Sequence, residues 1–151
     1  MTILRTLLAA SLLLPIAATA QVQHEAELRT QTTKLIEAMS QRDVDAVAAM
    51  VSKSGISVGV GAETMKPKEF EKSLRKHSGV YCALMDSHCI ENRGRDSALI
   101  DTLRLKTPLI IAPMEGKPNT AIVTTAYGNH ESELHFSFED GAWKLTHVEW
   151  N

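Results

Sequence analysis

Several things are missing from this chain of 151 residues, and each absence narrows what it can be. It has two cysteines, too few for a disulfide-dense scaffold. It has no basic block: 16 basic residues face 18 acidic ones, so nucleic acid is not an implied partner. Beyond the first twenty residues no segment is apolar enough to span a bilayer. There is no phosphate-cradling glycine loop, no Gly-x-Ser-x-Gly elbow, no His-Glu-x-x-His and no dinucleotide fingerprint. Gly59-Val60-Gly61 is only a Gly-x-Gly at a strand end. No cofactor and no metal are therefore expected.

What is present begins with an export signal. Arg5 supplies the positive start, Thr6 to Ala17 is mostly apolar, and Ala18-Thr19-Ala20 is a small-residue cleavage pattern ahead of Gln21. The run is too short for a bilayer core, which needs about 20 apolar residues. Residue 21 is not cysteine, so no lipid anchor is indicated. We read 1–20 as a cleavable signal peptide and 21–151 as a single domain, periplasmic or secreted, without a membrane span. In an oxidising compartment Cys82 and Cys89 most simply pair, and so short a loop would stabilise by about 2–3 kcal/mol. A competing reading groups Cys82, Cys89, His88 and Asp86 around a metal, but no second Cys/His pair exists to complete it.

The front half is helical. Leu28, Leu35, Ile36 and Met39 recur at helical spacing. Asp43 reads as an N-cap for a second helix, with Val44, Val47, Ala48 and Val51 inward. Ile56 to Val60 reads as a short strand, and Pro67 opens a third helix through Phe70 and Leu74. The stretch 79–92 is ambiguous between strand and helix, and Asp96 is positioned to cap a short helix from Ser97 to Arg104. Four strands follow: Thr107 to Met114, Thr120 to Tyr127, Glu131 to Glu139 and Ala142 to Trp150. Gly128-Asn129 and Asp140-Gly141 are two-residue hairpin signals.

The two turns fix faces by period-two alternation. Phe138 then pairs with Trp143, Phe136 with Leu145 and Leu134 with His147. Ala121, Val123, Thr125, Tyr127, His130, Ser132, Leu134, Phe136, Phe138, Trp143, Leu145, His147 and Glu149 share the inward face, which the helices must cover. The opposite face is mixed, and its Ile122, Val148 and Trp150 suggest a homodimer contact.

Helices followed by an antiparallel meander ending in Gly-x-Trp-Lys-Leu-x-x-Val resemble the nuclear transport factor 2-like superfamily. Ala38 to Val47 resembles its helix–break–Asp–helix opening, and Phe136 to Leu145 its closing hairpin. The resemblance spans about Leu28 to Trp150. It implies an α+β fold, N-terminal helices on a curved, mainly antiparallel sheet of four to five strands, forming a cone with a pocket. The superfamily includes isomerases, dehydratases, polyketide-cyclase-like enzymes and non-catalytic binding domains, so fold does not deliver function.

Within the inward set, His147 and Glu149 stand two residues apart, close enough for the carboxylate to fix the tautomer of a general base. Tyr127, Thr125, Ser132 and His130 would orient a ligand in the pocket. The leading expectation is a non-enzymatic exported binding domain, taking an unknown small molecule or protein through the pocket or the outer sheet face. One alternative is an isomerase, dehydratase or hydrolase with His147 as base. The other is an immunity-type inhibitor of a secreted toxin, which requires a flat apolar surface.

Overall fold

The computed structural model describes residues 16–89, 97–103, 108–127 and 130–151, and only the backbone of 16–23, 126, 127 and 130. The expected hairpin turn at Gly128-Asn129, the capping Asp96 and most of the export segment lie outside the described residues.

Among the described residues, five helices precede four of the five strands. They are α1 (Ile16–Ser40), α2 (Val44–Ala49), α3 (Pro67–Arg75), α4 (Val80–Met85) and α5 (Leu99–Leu103). The strands are β1 (Ser57–Val58), β2 (Ile110–Pro113), β3 (Thr120–Tyr127), β4 (His130–Glu139) and β5 (Ala142–Trp150). Local chemistry sets several boundaries. Asp43 accepts a hydrogen bond from the Ala46 N–H at 3.0 Å and caps α2 as expected. Pro67 opens α3, whose Phe70 and Leu74 are fully buried. The ambiguous cysteine-bearing stretch is helical as α4, burying Tyr81, Cys82, Leu84 and Met85. Cys82 is disulfide-bonded to Cys89 across the turn that follows. With both sulfurs in that bond, the metal reading has no thiolates to offer.

The sheet order is β1-β5-β4-β3-β2, antiparallel throughout except for β1, which lies parallel to β5. The Asp140-Gly141 turn is where the sequence puts it, with φ of 50° and 80° at its two central residues, the positive values that a tight hairpin of this kind needs. Phe138 pairs with Trp143 and Phe136 with Leu145. Phe136, Trp143, Leu134, Leu145, Ala121 and Val123 are all buried against the helices, so the aromatic pair points to one side of the ladder.

The alternation then breaks. A β-bulge interrupts the β4–β5 ladder between His135 and Phe136, so that Leu134 pairs with Val148 and His135 with His147. Thr146 is the extra residue on β5, and its hydroxyl donates to the His135 carbonyl at 3.1 Å. One inserted residue flips every later side chain across the sheet. This corrects the expected Leu134–His147 pairing. Val148 is buried in the core, and the Trp150 indole N–H reaches the Ser97 carbonyl at 3.3 Å. His147 and Glu149 pass to the outer face. The homodimer contact expected from Ile122, Val148 and Trp150 thereby loses two of its three apolar residues.

Candidate functional site

Two groups of side chains stand out, one on each face of the sheet. On the inner face, at the Asp140-Gly141 end, lies a cavity of about 520 Å³. Its wall comes from α1 (His24, Glu25, Leu28), its roof from β2 and the turn after it (Ile111, Pro113, Met114, Lys117) and its floor from Phe138 and Trp143. The floor is rigid because its rings interlock. Phe138 and Trp143 meet edge to face at 5.3 Å, and the His24 ring tilts over Phe138 at 4.5 Å. The Trp143 indole N–H donates to the His24 carbonyl at 2.9 Å, tying α1 to β5.

The roof is held separately. Arg29 forms an ion pair with Glu25 at 2.8 Å and donates to the Leu109 carbonyl at 3.0 Å, joining α1 to the start of β2. The turn after β2 is closed by Lys117 N–H to Met114 carbonyl at 3.2 Å and Thr120 hydroxyl to Lys117 carbonyl at 2.7 Å. Asn119, at φ 60°, presents its carbonyl to the Phe138 N–H at 2.7 Å. The lining is mostly apolar, from Leu28, Ile111, Pro113, Met114, Phe138 and Trp143, with a few polar groups among them, the usual constitution of a small-molecule pocket.

The residues expected to line a pocket fall elsewhere. Thr125 and Ser132 are on the inner face as expected, and both are buried. Ser132 Oγ lies 2.7 Å from Thr102 Oγ1, which in turn donates to the Leu99 carbonyl at 2.7 Å. That pair stitches β4 to α5 inside the core and lies apart from the cavity lining. The side chains of Tyr127 and His130 lie outside the described residues. Asp86 is engaged by Arg42 at 3.1 Å, and Asp101 by the Ala98 N–H at 3.3 Å. Phe138 and Trp143 were legible as an inward pair, whereas His24 and Lys117 carry no sequence signal. The Trp-x-Leu signature marked the floor, but no local pattern could bring α1 to it.

The second group is on the outer face. His147 Nε2 lies 3.1 Å from Glu149 Oε2, so the expected diad is in hydrogen-bond reach, outside the cavity. Ser57 Oγ of β1 lies 2.7 Å from His147 Nδ1, an unforeseen third member brought in by the parallel β1–β5 pairing. His135, beside Glu133 at 3.1 Å, packs its ring against His147 at 4.7 Å. A serine hydroxyl donating to Nδ1 leaves Nε2–H to the carboxylate, which is an arrangement able to move a proton. Glu149, Glu133 and Trp150 border a shallow hollow of about 170 Å³.

No protein-family model matches the sequence, and no curated protein matches it. Solved structures do. An NTF2-like protein with a cystatin-like fold from Novosphingobium aromaticivorans superposes with a TM-score of 0.51 at 14% identity, over 89% of this chain and 84% of that one. A protein from the same organism, described only provisionally as a scytalone dehydratase, gives 0.51 at 9% identity over 89% and 87%. A Mycobacterium tuberculosis protein of unknown function gives 0.52 at 14% over 93% and 77%. At such identities the likeness concerns the fold, and the fold is the nuclear transport factor 2-like one.

Proposed function

We propose that this chain is an exported binding domain whose inner-face cavity takes a small, largely apolar molecule. The observation that carries the reading is the cavity itself. Its size of about 520 Å³ falls inside the range of about 300–1,000 Å³ typical of ligand sites. Its floor is the edge-to-face pair Phe138 and Trp143, and its lining is mostly apolar. Export rests on the N-terminal signal pattern and is compatible with the disulfide. Among the described residues no helix is long and apolar enough to cross a membrane.

The test is a thermal-shift and tryptophan-fluorescence screen of the purified domain against small amphipathic compounds. A ligand at a hundredfold excess over Kd should add about 2.7 kcal/mol of stability. Ile111→Trp, which sets a bulky indole in the cavity, should abolish the shift without lowering the melting temperature of the free protein. A ligand that binds this variant as well as it binds the parent would place binding elsewhere.

One observation favours a second reading, acid–base chemistry on the outer face. Ser57, His147 and Glu149 form a continuous hydrogen-bonded row, with His147 positioned as base and Glu149 as its orienter. Hydrolysis of an activated ester that disappears in both Ser57→Ala and His147→Ala, with folding intact, would support it and displace the binding reading. The inhibitor alternative calls for a flat apolar surface, whereas the outer face carries His135, His147, Glu133, Glu149 and Lys144.

A further inference from the structure

We propose that the ligand of the inner-face cavity is an amphipathic monoanion, an acyl or aryl body ending in a carboxylate that is met at the rim by Lys117. This rests on the binding reading above and adds the ligand's charge and polarity to it.

The argument is an account of which polar groups at the cavity are already used. Glu25 is the carboxylate of the lining, and it is spoken for: Arg29 contacts its Oε1 through both Nη2 at 2.8 Å and Nε at 3.1 Å. The Thr120 hydroxyl donates to the Lys117 carbonyl at 2.7 Å. Three side chains remain, the neutral Asn119 amide and two that can carry charge. The Lys117 ammonium has no partner among the described residues, although its backbone is fixed at both ends of the turn by the bonds to Met114 and Thr120. The His24 imidazole has its Nδ1 turned away from solvent and without a hydrogen bond among the described residues, 3.5 Å from Glu27 Oε2. After internal pairing, then, the acidic group of the lining is neutralised and the unspent charge is a cation.

The body of the ligand follows from the opposite consideration. Leu28, Ile111, Met114, Phe138 and Trp143 offer no charge and little hydrogen bonding, so a second ionic group placed there would be desolvated without compensation. A molecule with one anionic end and an otherwise apolar body satisfies both regions. A cationic amphiphile would set its head against Lys117, and a neutral one would leave the ammonium without a counter-charge. Because Lys117 is exposed, its pairing with a carboxylate is screened and worth a modest factor. Specificity by charge should therefore be real but shallow, with most of the affinity coming from the apolar floor.

The experiment compares three probes with the same eight-carbon body, octanoate, octanol and octylammonium, titrated against the Gln21–Asn151 domain at low salt. We expect octanoate to bind about threefold tighter than octanol and octylammonium to bind weakest. At high salt the spread should contract. In Lys117→Glu, checked for an unchanged melting temperature, the order should invert, with octylammonium tightest. If octanoate and octanol bind equally and Lys117→Glu leaves the order as it was, the charge assignment is overturned and the cavity reading survives. If none of the three binds, and Ile111→Trp changes nothing, the cavity reading falls and this proposal with it.

Discussion

Glu139, the last residue of β4, is held by three donors. The Ser52 hydroxyl reaches its Oε1 at 2.5 Å, the Ser137 hydroxyl shares that oxygen, and the Lys53 backbone N–H meets Oε2 at 3.2 Å. Burial alone would raise its pKa and the neighbouring Asp140 carboxylate pushes the same way, but these hydrogen bonds outweigh both and hold the carboxyl below its ordinary 4.5. A carboxylate depressed in the folded state stabilises fully above its unfolded pKa and ceases to as pH falls through the folded value. Glu139→Ala should therefore cost about 1 kcal/mol at neutral pH, a figure kept low because the site is partly solvated. Urea unfolding of parent and variant should converge progressively as pH drops below 4.5, and a gap that does not narrow at all down to the lowest pH at which the parent stays folded would mean that packing, not ionisation, is what the residue supplies. None of this was legible in the sequence. Ser52 and Lys53 precede Glu139 by more than eighty positions, and no periodicity connects a loop to a strand end so far away. The Asp43 cap and the cysteine pair, by contrast, were legible because their partners lie three and seven residues off.

Elements were readable wherever a turn and an alternation agreed, and misread where the alternation slips. From Asp140-Gly141 the pairing runs as the pattern requires through Leu145 and Phe136. Beyond it the apolar residues of β5 are Trp143, Leu145, Val148 and Trp150, a spacing of two, three and two. That step of three is the signature of the bulge, visible in the residue types though carried by no glycine. It decides where function can reside, because it sends Val148 into the core and lines up His147 with Ser57. The bulge is testable by a matched pair. Val148→Lys buries a charge at a position 1% exposed and should cost 3 kcal/mol or more on the order of other buried unpaired charges. His147→Lys, at a side chain 19% exposed on the outer face, should cost well under half of that by chemical denaturation. Equal losses would restore the uninterrupted alternation. The disulfide acts at the same scale. The helix α4 has six residues, too few to persist alone, and its Gly79 N-cap offers no side-chain hydrogen bond. Replacing both Cys82 and Cys89 by alanine should lower stability by about 2–3 kcal/mol. Reductant should lower the urea midpoint of the parent to that of the variant and leave the variant where it is.

At the scale of the whole molecule, α1 begins inside the segment we propose to be an export signal and goes on to supply the cavity wall. The two hairpins were enough to foresee which side of the sheet the helices cover, and hence the fold. They could not foresee the cavity, because its wall is the start of α1, more than a hundred residues from the Phe138–Trp143 floor in the chain. His24 lies three residues beyond Gln21, so processing at the cleavage site we propose would leave the wall intact with almost nothing to spare. We expect a chain exported through its own signal to begin at Gln21, with an intact mass two hydrogens short of the dithiol form. A chain begun at Leu28 instead loses the His24 carbonyl that accepts from Trp143 and the Glu25 carboxylate that holds Arg29. Leaving the Trp143 indole N–H unpaired should cost about 1–3 kcal/mol. Losing the His24–Glu25 wall should remove most of the fluorescence response of Trp143 to any cavity ligand. Stability that falls while ligand affinity stays unchanged would mean that α1 only braces the sheet, and that the binding surface is formed by the β2–β3 turn and the aromatic floor alone.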